Sequence, residues 1–228
     1  MENGIRNQGL AWQAAIVDLD GTMVDTVGDF EAALNRMLDE LCLPHVDRGF
    51  IERTVGKGSE HLIRTTLAHV GAAVALYDPA WTAYQRHYLS INGEHSAVYP
   101  GVVEGLRRLR ACGLPLACLT NKPTAFARPL LARKGLDGFF AEVFGGDAFE
   151  RKKPDPLPLQ MTCRALGSEP SRTLIIGDSS NDARAARAAG CPVVLVSYGY
   201  NHGEPVAAAG ADAVIDRLDA LPLASVLA

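Results

Sequence analysis

The sequence predicts an α/β fold: a doubly wound parallel sheet (a Rossmann-like core) carrying an inserted all-helical cap domain. Three observations support it. Four short apolar runs, AAIV (14–17), LPLACL (114–119), TLII (173–176) and VVLV (193–196), show no polar alternation. Such runs suit strands buried on both faces. Helical periodicity fills the stretches between the later runs, the alternation from which a helix-covered parallel sheet is built. From about residue 26 to 98 the alternation stops: three helical patterns succeed one another with no strand among them.

In chain order, the first run passes directly into Asp18-Leu19-Asp20-Gly21-Thr22. The helical patterns are DFEAALNRMLDEL (29–41), SEHLIRTTLAHV (59–70) and DPAWTAYQRHYLSI (78–91). In the third, Asp78 is expected as N-cap and Pro79 at the first helical position. NGEHSAVYPG (92–101) reads as a return linker. The expected division is therefore a core of residues 1–25 and 99–228 and a cap of residues 26–98, hinged near 22–26 and 97–101. Next, VVEGLRRLRACG (102–113) repeats apolar residues at Val102, Val103, Leu106 and Leu109 and reaches a stop at Gly113. The second strand comes next and leads into Thr120-Asn121-Lys122. RALG precedes the third strand, and ARAARAAG the fourth, each closing a helix on glycine. Trp12, Trp81, Tyr84 and Tyr88 read as packing residues. His45, His61, His69, His87, His95 and His202 have no metal-ligand spacing, and most read as surface or packing residues.

The 228 residues suffice for one large domain with a smaller insertion. With 48% hydrophobic and 21% charged residues the composition is that of a globular chain rather than a disordered one. A net charge of −4 with scattered Lys and Arg argues against nucleic acid or an anionic membrane as partner. Five cysteines without a C-x-x-C pair suit reduced, buried thiols. The N-terminal stretch turns acidic too soon for a signal peptide, and no segment approaches the roughly 20 apolar residues of a membrane span. A cytoplasmic protein is expected.

The residues that carry chemistry stand directly after the strands. Asp18 and Asp20 fall on one side of an extended backbone, where two like charges need a cation or a shared proton. The second strand delivers Thr120 and Asn121, the third Asp178 and Asp182, and RKKPDPLP (151–158) brings cations to a proline-rich turn. In an open parallel sheet these strand ends share one edge, where ligands bind. Singly, each has a plainer reading. Thr120 and Asn121 could cap a helix, Asp178 and Asp182 could be cap and solvent residues, and Arg151, Lys152 and Lys153 could form a solvated face.

As a set, DLDGT, the T-N after the second strand, the K-P-D-P turn at 153–156 and GDSSND resemble the four motifs of the haloacid dehalogenase-like phosphohydrolases. The likeness runs through nearly the whole chain, including the position of the helical insertion. It implies Asp18 as nucleophile and Asp20 as general acid/base. Thr120 would hold the phosphoryl group with Asn121 beside it, and Lys153, with Lys152 as fallback, would neutralise charge. It further implies Mg2+ held by Asp18, Asp178 and the main-chain carbonyl of Asp20, with Asp182 orienting the site from nearby. Phosphate monoesters hydrolyse so slowly that enzymes must lower the barrier by on the order of 20 kcal/mol or more, and a carboxylate nucleophile divides the reaction into two displacements.

Asp20 favours phosphatase or phosphomutase chemistry, because a departing halide needs no proton. VGKGSEHLIR (55–64) resembles a cap loop, and VSYGYNHGEP (196–205) a core segment, of the phosphoglycolate phosphatases within this family. The implied reaction is hydrolysis of 2-phosphoglycolate, a small phosphorylated metabolite, through an aspartyl-phosphate. Other small monoesters (a sugar phosphate or nucleotide), a phosphomutase, and a non-catalytic binding module on the same fold are the alternatives. Lys57 departs from the polar uncharged residue common at its position; it either pairs with the substrate carboxylate or is solvated on a turn.

Overall fold

The computed structural model describes residues 12–222. The chain opens with β1 (Ala14–Val17), turns through the short β2 (Val24–Asp25) and enters four helices. These are α1 (Val27–Glu40), α2 (Arg48–Thr54), α3 (Ser59–His69) and α4 (Tyr77–Ile91). It returns through β3 (Ala97–Val98), which pairs antiparallel with β2, Val24 opposite Val98. Then come α5 (Val102–Ala111), β4 (Leu116–Leu119), α6 (Thr124–Arg133), β5 (Glu142–Phe144) and α7 (Leu157–Leu166). The chain continues with β6 (Thr173–Gly177), α8 (Ser180–Ala189), β7 (Val193–Val196) and β8 (Ala213–Ile215).

Six strands form one parallel sheet in the order β5-β4-β1-β6-β7-β8. From β1 the chain winds outward through β4 and β5, then crosses to β6 on the other side of β1. The strand order thus reverses at β1, and a crevice opens there beyond the carboxyl ends of β4, β1 and β6.

Alternation along each strand explains why its apolar runs are unbroken. Ala15, Val17, Leu116, Cys118, Leu174 and Ile176 face one way and pack under α5 and α6 through Val102, Leu106, Leu109, Leu130 and Leu131. Ile16, Ala117, Leu119, Ile175 and Leu195 face the other way, against Leu159 and Cys163 of α7 and Ala183 and Ala186 of α8. The four helices between β2 and β3 hold an apolar cluster of their own, with Phe30, Leu34 and Met37 meeting Ile51, Ile63, Tyr84 and Tyr88. Phe126 of α6 joins it, its ring centroid 4.7 Å from that of Tyr88.

The structure corrects the expected elements in several places. Two edge strands, β5 and β8, and the β2–β3 ribbon were not anticipated; at two or three residues each they are too short to show a period. Helix α2, seven residues long, was also missed, although Asp47 caps it by accepting from the Phe50 amide at 2.7 Å. Asp78 is not the cap of α4. A 3-10 turn (Val74–Leu76) runs straight into the helix, so α4 begins at Tyr77 and Asp78 lies in its first turn. All five cysteines are free thiols. Among the described residues, no helix is long and apolar enough to cross a membrane.

Candidate active site

Asp18, Thr120 and Asp178 are each the first residue beyond one of three neighbouring strands, β1, β4 and β6. Ladder bonds carry on into them: Asp18 N donates to Ile176 O at 2.9 Å and Thr120 N to Phe144 O at 3.0 Å. They share one pocket with Asp20, Asn121 and Lys122 from the sheet edge and with Phe30, Gly56, Gly58, Ser59 and Leu62 from the helical block.

Lys153 reaches this cluster from the segment after β5. Its Nζ lies 3.1 Å from Asp18 Oδ1 and 2.7 Å from Asp182 Oδ1, and donates to Leu119 O at 2.8 Å. Burial opposes a charged ammonium, but the charges of Asp18 and Asp182 outweigh it and raise the lysine's pKa. Lys152, the alternative cation, is exposed. Asp182 sits in the first turn of α8, where its Oδ2 accepts from the Ser179 amide at 3.2 Å and hydroxyl at 2.9 Å. It therefore caps the helix with one oxygen and anchors Lys153 with the other, uniting the two readings its position allowed.

Burial raises Asp18 to a pKa of about 7; Lys153 pulls it down, Asp182 and Asp20 push it up, and the Leu19 amide donating to Oδ1 at 2.7 Å lowers it. Burial, then the charges of Asp182 and Asp18, hold Asp178 well above the ordinary carboxylate range. Asp178 accepts from Thr22 Oγ1 at 3.3 Å and from the Tyr200 amide at 2.8 Å. Two glycines cradle it. A Cβ on Gly21 would lie 2.3 Å from Asp178 Oδ2, and one on Gly199 2.1 Å from Asp178 Cβ.

Asp18, Asp178 and Asp182 each present one oxygen within 4.8 Å of the others. Hard carboxylate donors of this kind fit magnesium rather than a softer ion. Asp18 and Asp178 line the pocket and Asp182 does not, so Asp18 and Asp178 are the carboxylates suited to direct coordination. Burial first, and then the repulsion among these carboxylates, raises both pKa values, and a divalent cation would offset both effects.

The two aspartates of DLDGT do not share a partner. Asp20 Oδ1 accepts from Thr26 Oγ1 at 2.8 Å and from Lys122 Nζ at 2.9 Å. Lys122 is buried, and the sequence reading missed it; the available signal was a cation directly after a fully apolar strand and its T-N. Lys57 is not brought in. It stands between two pocket-lining glycines, but its side chain is exposed and is not part of the pocket wall. His202 departs from the surface or packing role, lining the pocket with Nε2 3.2 Å from Asn181 Nδ2. Asn181 and Asn121 both donate to Gly56 O, at 3.2 and 2.9 Å, tying the 55–58 loop to the sheet edge.

Residues 15–196 match the family model of the haloacid dehalogenase-like hydrolases. The chain belongs to that family. It is 44% identical over 211 residues to a plasmid-borne phosphoglycolate phosphatase of Cupriavidus necator, with 92% of this chain and 91% of the relative covered. To a phosphoglycolate phosphatase of Thiobacillus denitrificans it is 43% identical over 209 residues, covering 90% and 92%. A crystal structure of a predicted phosphoglycolate phosphatase from Haemophilus somnus 129pt superposes with a TM-score of 0.87 at 31% identity, covering 92% of this chain and 96% of that one. This haloacid dehalogenase-like hydrolase accordingly has the family's parallel sheet with helices on both faces, and it is an enzyme.

Proposed function

We propose that this hydrolase is a phosphoric monoester hydrolase that converts 2-phosphoglycolate and water to glycolate and phosphate through a phosphorylated Asp18. The observation that carries the reading is Asp18 at the end of the central strand, 3.1 Å from the buried Lys153, with Thr120 and Asp178 from the adjacent strands beside it. The names of the relatives, at over 40% identity across nine-tenths of the chain, support the substrate.

In this mechanism Asp18 attacks phosphorus in line with the leaving oxygen, while Thr120 and Lys153 take the equatorial oxygens, whose charge must be stabilised as the ester bond opens. Asp20, held by Thr26 and Lys122, gives a proton to the departing glycolate oxygen. It then removes one from the water that hydrolyses the aspartyl-phosphate. Asp178 and Asp18, with the main-chain carbonyl of Asp20, would hold Mg2+, whose charge offsets the repulsion between carboxylate and phosphate. Asp182 keeps Lys153 in place, and Asn121 fixes the lysine's backbone. Residues 26–98 act as a cap that excludes water from the pocket. The free thiols suit the reducing cytoplasm.

The test is phosphate release from a panel of esters, with magnesium and with EDTA. Highest kcat/KM on 2-phosphoglycolate, activity abolished by EDTA, and no turnover by a folded Asp18→Asn variant are expected. Better turnover of a sugar phosphate or nucleotide would overturn the substrate. Activation by a sugar bisphosphate would point to a phosphomutase, and a folded protein inactive on every ester to a binding module.

A further inference from the structure

We propose that Lys122 is the residue that selects the substrate, by taking the carboxylate on its leaving group. This deepens the phosphoglycolate reading and rests on it. Lys122 is the only lysine or arginine among the described residues that line the pocket. Lys153 does not line the pocket and is engaged by Asp18 and Asp182 at the phosphate end. The side chain of Lys122 is 1% exposed. Its Nζ donates to Asp20 at 2.9 Å and to the Tyr88 hydroxyl at 2.6 Å, and lies 4.4 Å and 4.6 Å from the ring centroids of Phe30 and Tyr88.

The position matters as much as the charge. Asp20 is the carboxylate that meets the leaving oxygen, and Lys122 is bonded to it. In 2-phosphoglycolate a single methylene separates the ester oxygen from the carboxylate. A cation one hydrogen bond beyond Asp20 is therefore where that carboxylate falls. The ammonium's bonds go to both oxygens of Asp20, at 2.9 and 3.3 Å, and to Tyr88, so a ligand carboxylate would take the donor now spent on the long bond to Asp20 Oδ2. Phe30 and Leu62 in the same wall exclude water, which strengthens a charged hydrogen bond. Lys57, the other candidate for the carboxylate, is exposed; His202, the other basic group in the wall, is biased toward its neutral form by burial and by Lys57.

The experiment compares kcat/KM for 2-phosphoglycolate with that for ethyl phosphate, which replaces the carboxylate by a methyl group. It uses the full-length magnesium-loaded enzyme and the variants Lys122→Met and Lys122→Arg. In wild type the ratio should favour 2-phosphoglycolate; in Lys122→Met it should fall by about 10–100-fold, and in Lys122→Arg it should stay within about tenfold of wild type. Calorimetric binding of the two esters to Asp18→Asn, with and without Lys122→Met, should show the same selective loss without turnover. If Lys122→Met does not fold, Lys122→Gln replaces it in both comparisons.

Equal losses on the two esters would overturn the proposal and leave Lys122 as a positioning residue for Asp20. If wild type prefers a different carboxylate-bearing ester, such as a phospholactate, and Lys122→Met loses that preference, Lys122 keeps its role and only phosphoglycolate is replaced. A wild-type preference for an uncharged ester would overturn both readings together.

Discussion

The side-chain amide of Asn121 grips the backbone of Lys153 on both sides: Oδ1 accepts from Lys153 N at 3.0 Å, and Nδ2 donates to Lys153 O at 2.8 Å. Neither residue is on a strand, and 32 positions separate them. This pair of hydrogen bonds is what sets a lysine from an irregular segment against the carboxylate at the end of β1.

A first prediction concerns that amide. Asn121→Ala releases the Lys153 backbone and one of the two amides on Gly56 O. A displacement of about 1 Å near the reacting group can lower the rate roughly 100-fold, so kcat should fall by about that factor. Steady-state kinetics on 2-phosphoglycolate check this; an unchanged kcat with a raised KM would mean that the amide serves only the loop.

Lys153 itself joins two buried carboxylates. Lys153→Met leaves Asp18 and Asp182 without their shared cation, and breaking a buried pair by removing one partner is destabilising by about 3–5 kcal/mol. Urea unfolding in EDTA should show that loss, and kinetics in magnesium should show activity near background. Lys152→Met, at an exposed position, should change neither by more than a small margin.

Stability should depend on pH in a particular direction. Asp18 moves from 3.8 in the unfolded chain to about 7 when folded, and Asp178 is raised as well, in each case chiefly by burial. A carboxyl with a raised folded pKa contributes stability that is complete below the unfolded value and is lost as pH rises through the folded one. The metal-free protein should therefore lose melting temperature between pH 5 and pH 8, by about 5 °C or more, and Asp18→Asn should lose less. Magnesium should restore most at pH 8, above the folded pKa of Asp18. Thermal melts in EDTA and in magnesium across this range provide the check.

Gly199 offers a test of the proposed metal site away from the carboxylates. A Cβ there would lie 2.1 Å from Asp178 Cβ and 2.5 Å from its Oδ2, so Gly199→Ala must push the aspartate aside. The magnesium concentration for half-maximal activity should rise by about 10–100-fold, the usual effect of disturbing the support of a ligand. Titration of activity against magnesium measures it, with circular dichroism confirming that the variant folds.

Much of this molecule was legible in the sequence. The run AAIV predicts a doubly buried strand and is one, and VVLV likewise, because a continuous apolar segment of that length has few other stable environments. Asp18, Thr120 and Asp178 were legible as strand-end residues for the same reason: each is covalently tied to such a run. Gly167 and Gly190 end α7 and α8 in the left-handed conformation, where RALG and ARAARAAG indicated stops. The short elements left no such trace, since β5, β8 and α2 are held by neighbours rather than by a pattern of their own.

Partnership between charges was beyond the reach of any local pattern. The K-P-D-P likeness favours Lys153 over Lys152, but no local property of RKKP separates two adjacent lysines; one is exposed and the other lies 3.1 Å from Asp18, with Asn121 holding its backbone there. Lys57, which the sequence left open between a substrate contact and a solvated turn, is exposed, whereas Lys122 from the sheet edge lines the pocket and meets Asp20 across 102 residues of chain. Residue type and periodicity act over a few neighbouring positions and so are written along the chain. Burial, pairing and the pKa values they produce depend on distances between segments, which exist only once the sheet has brought its strand ends together.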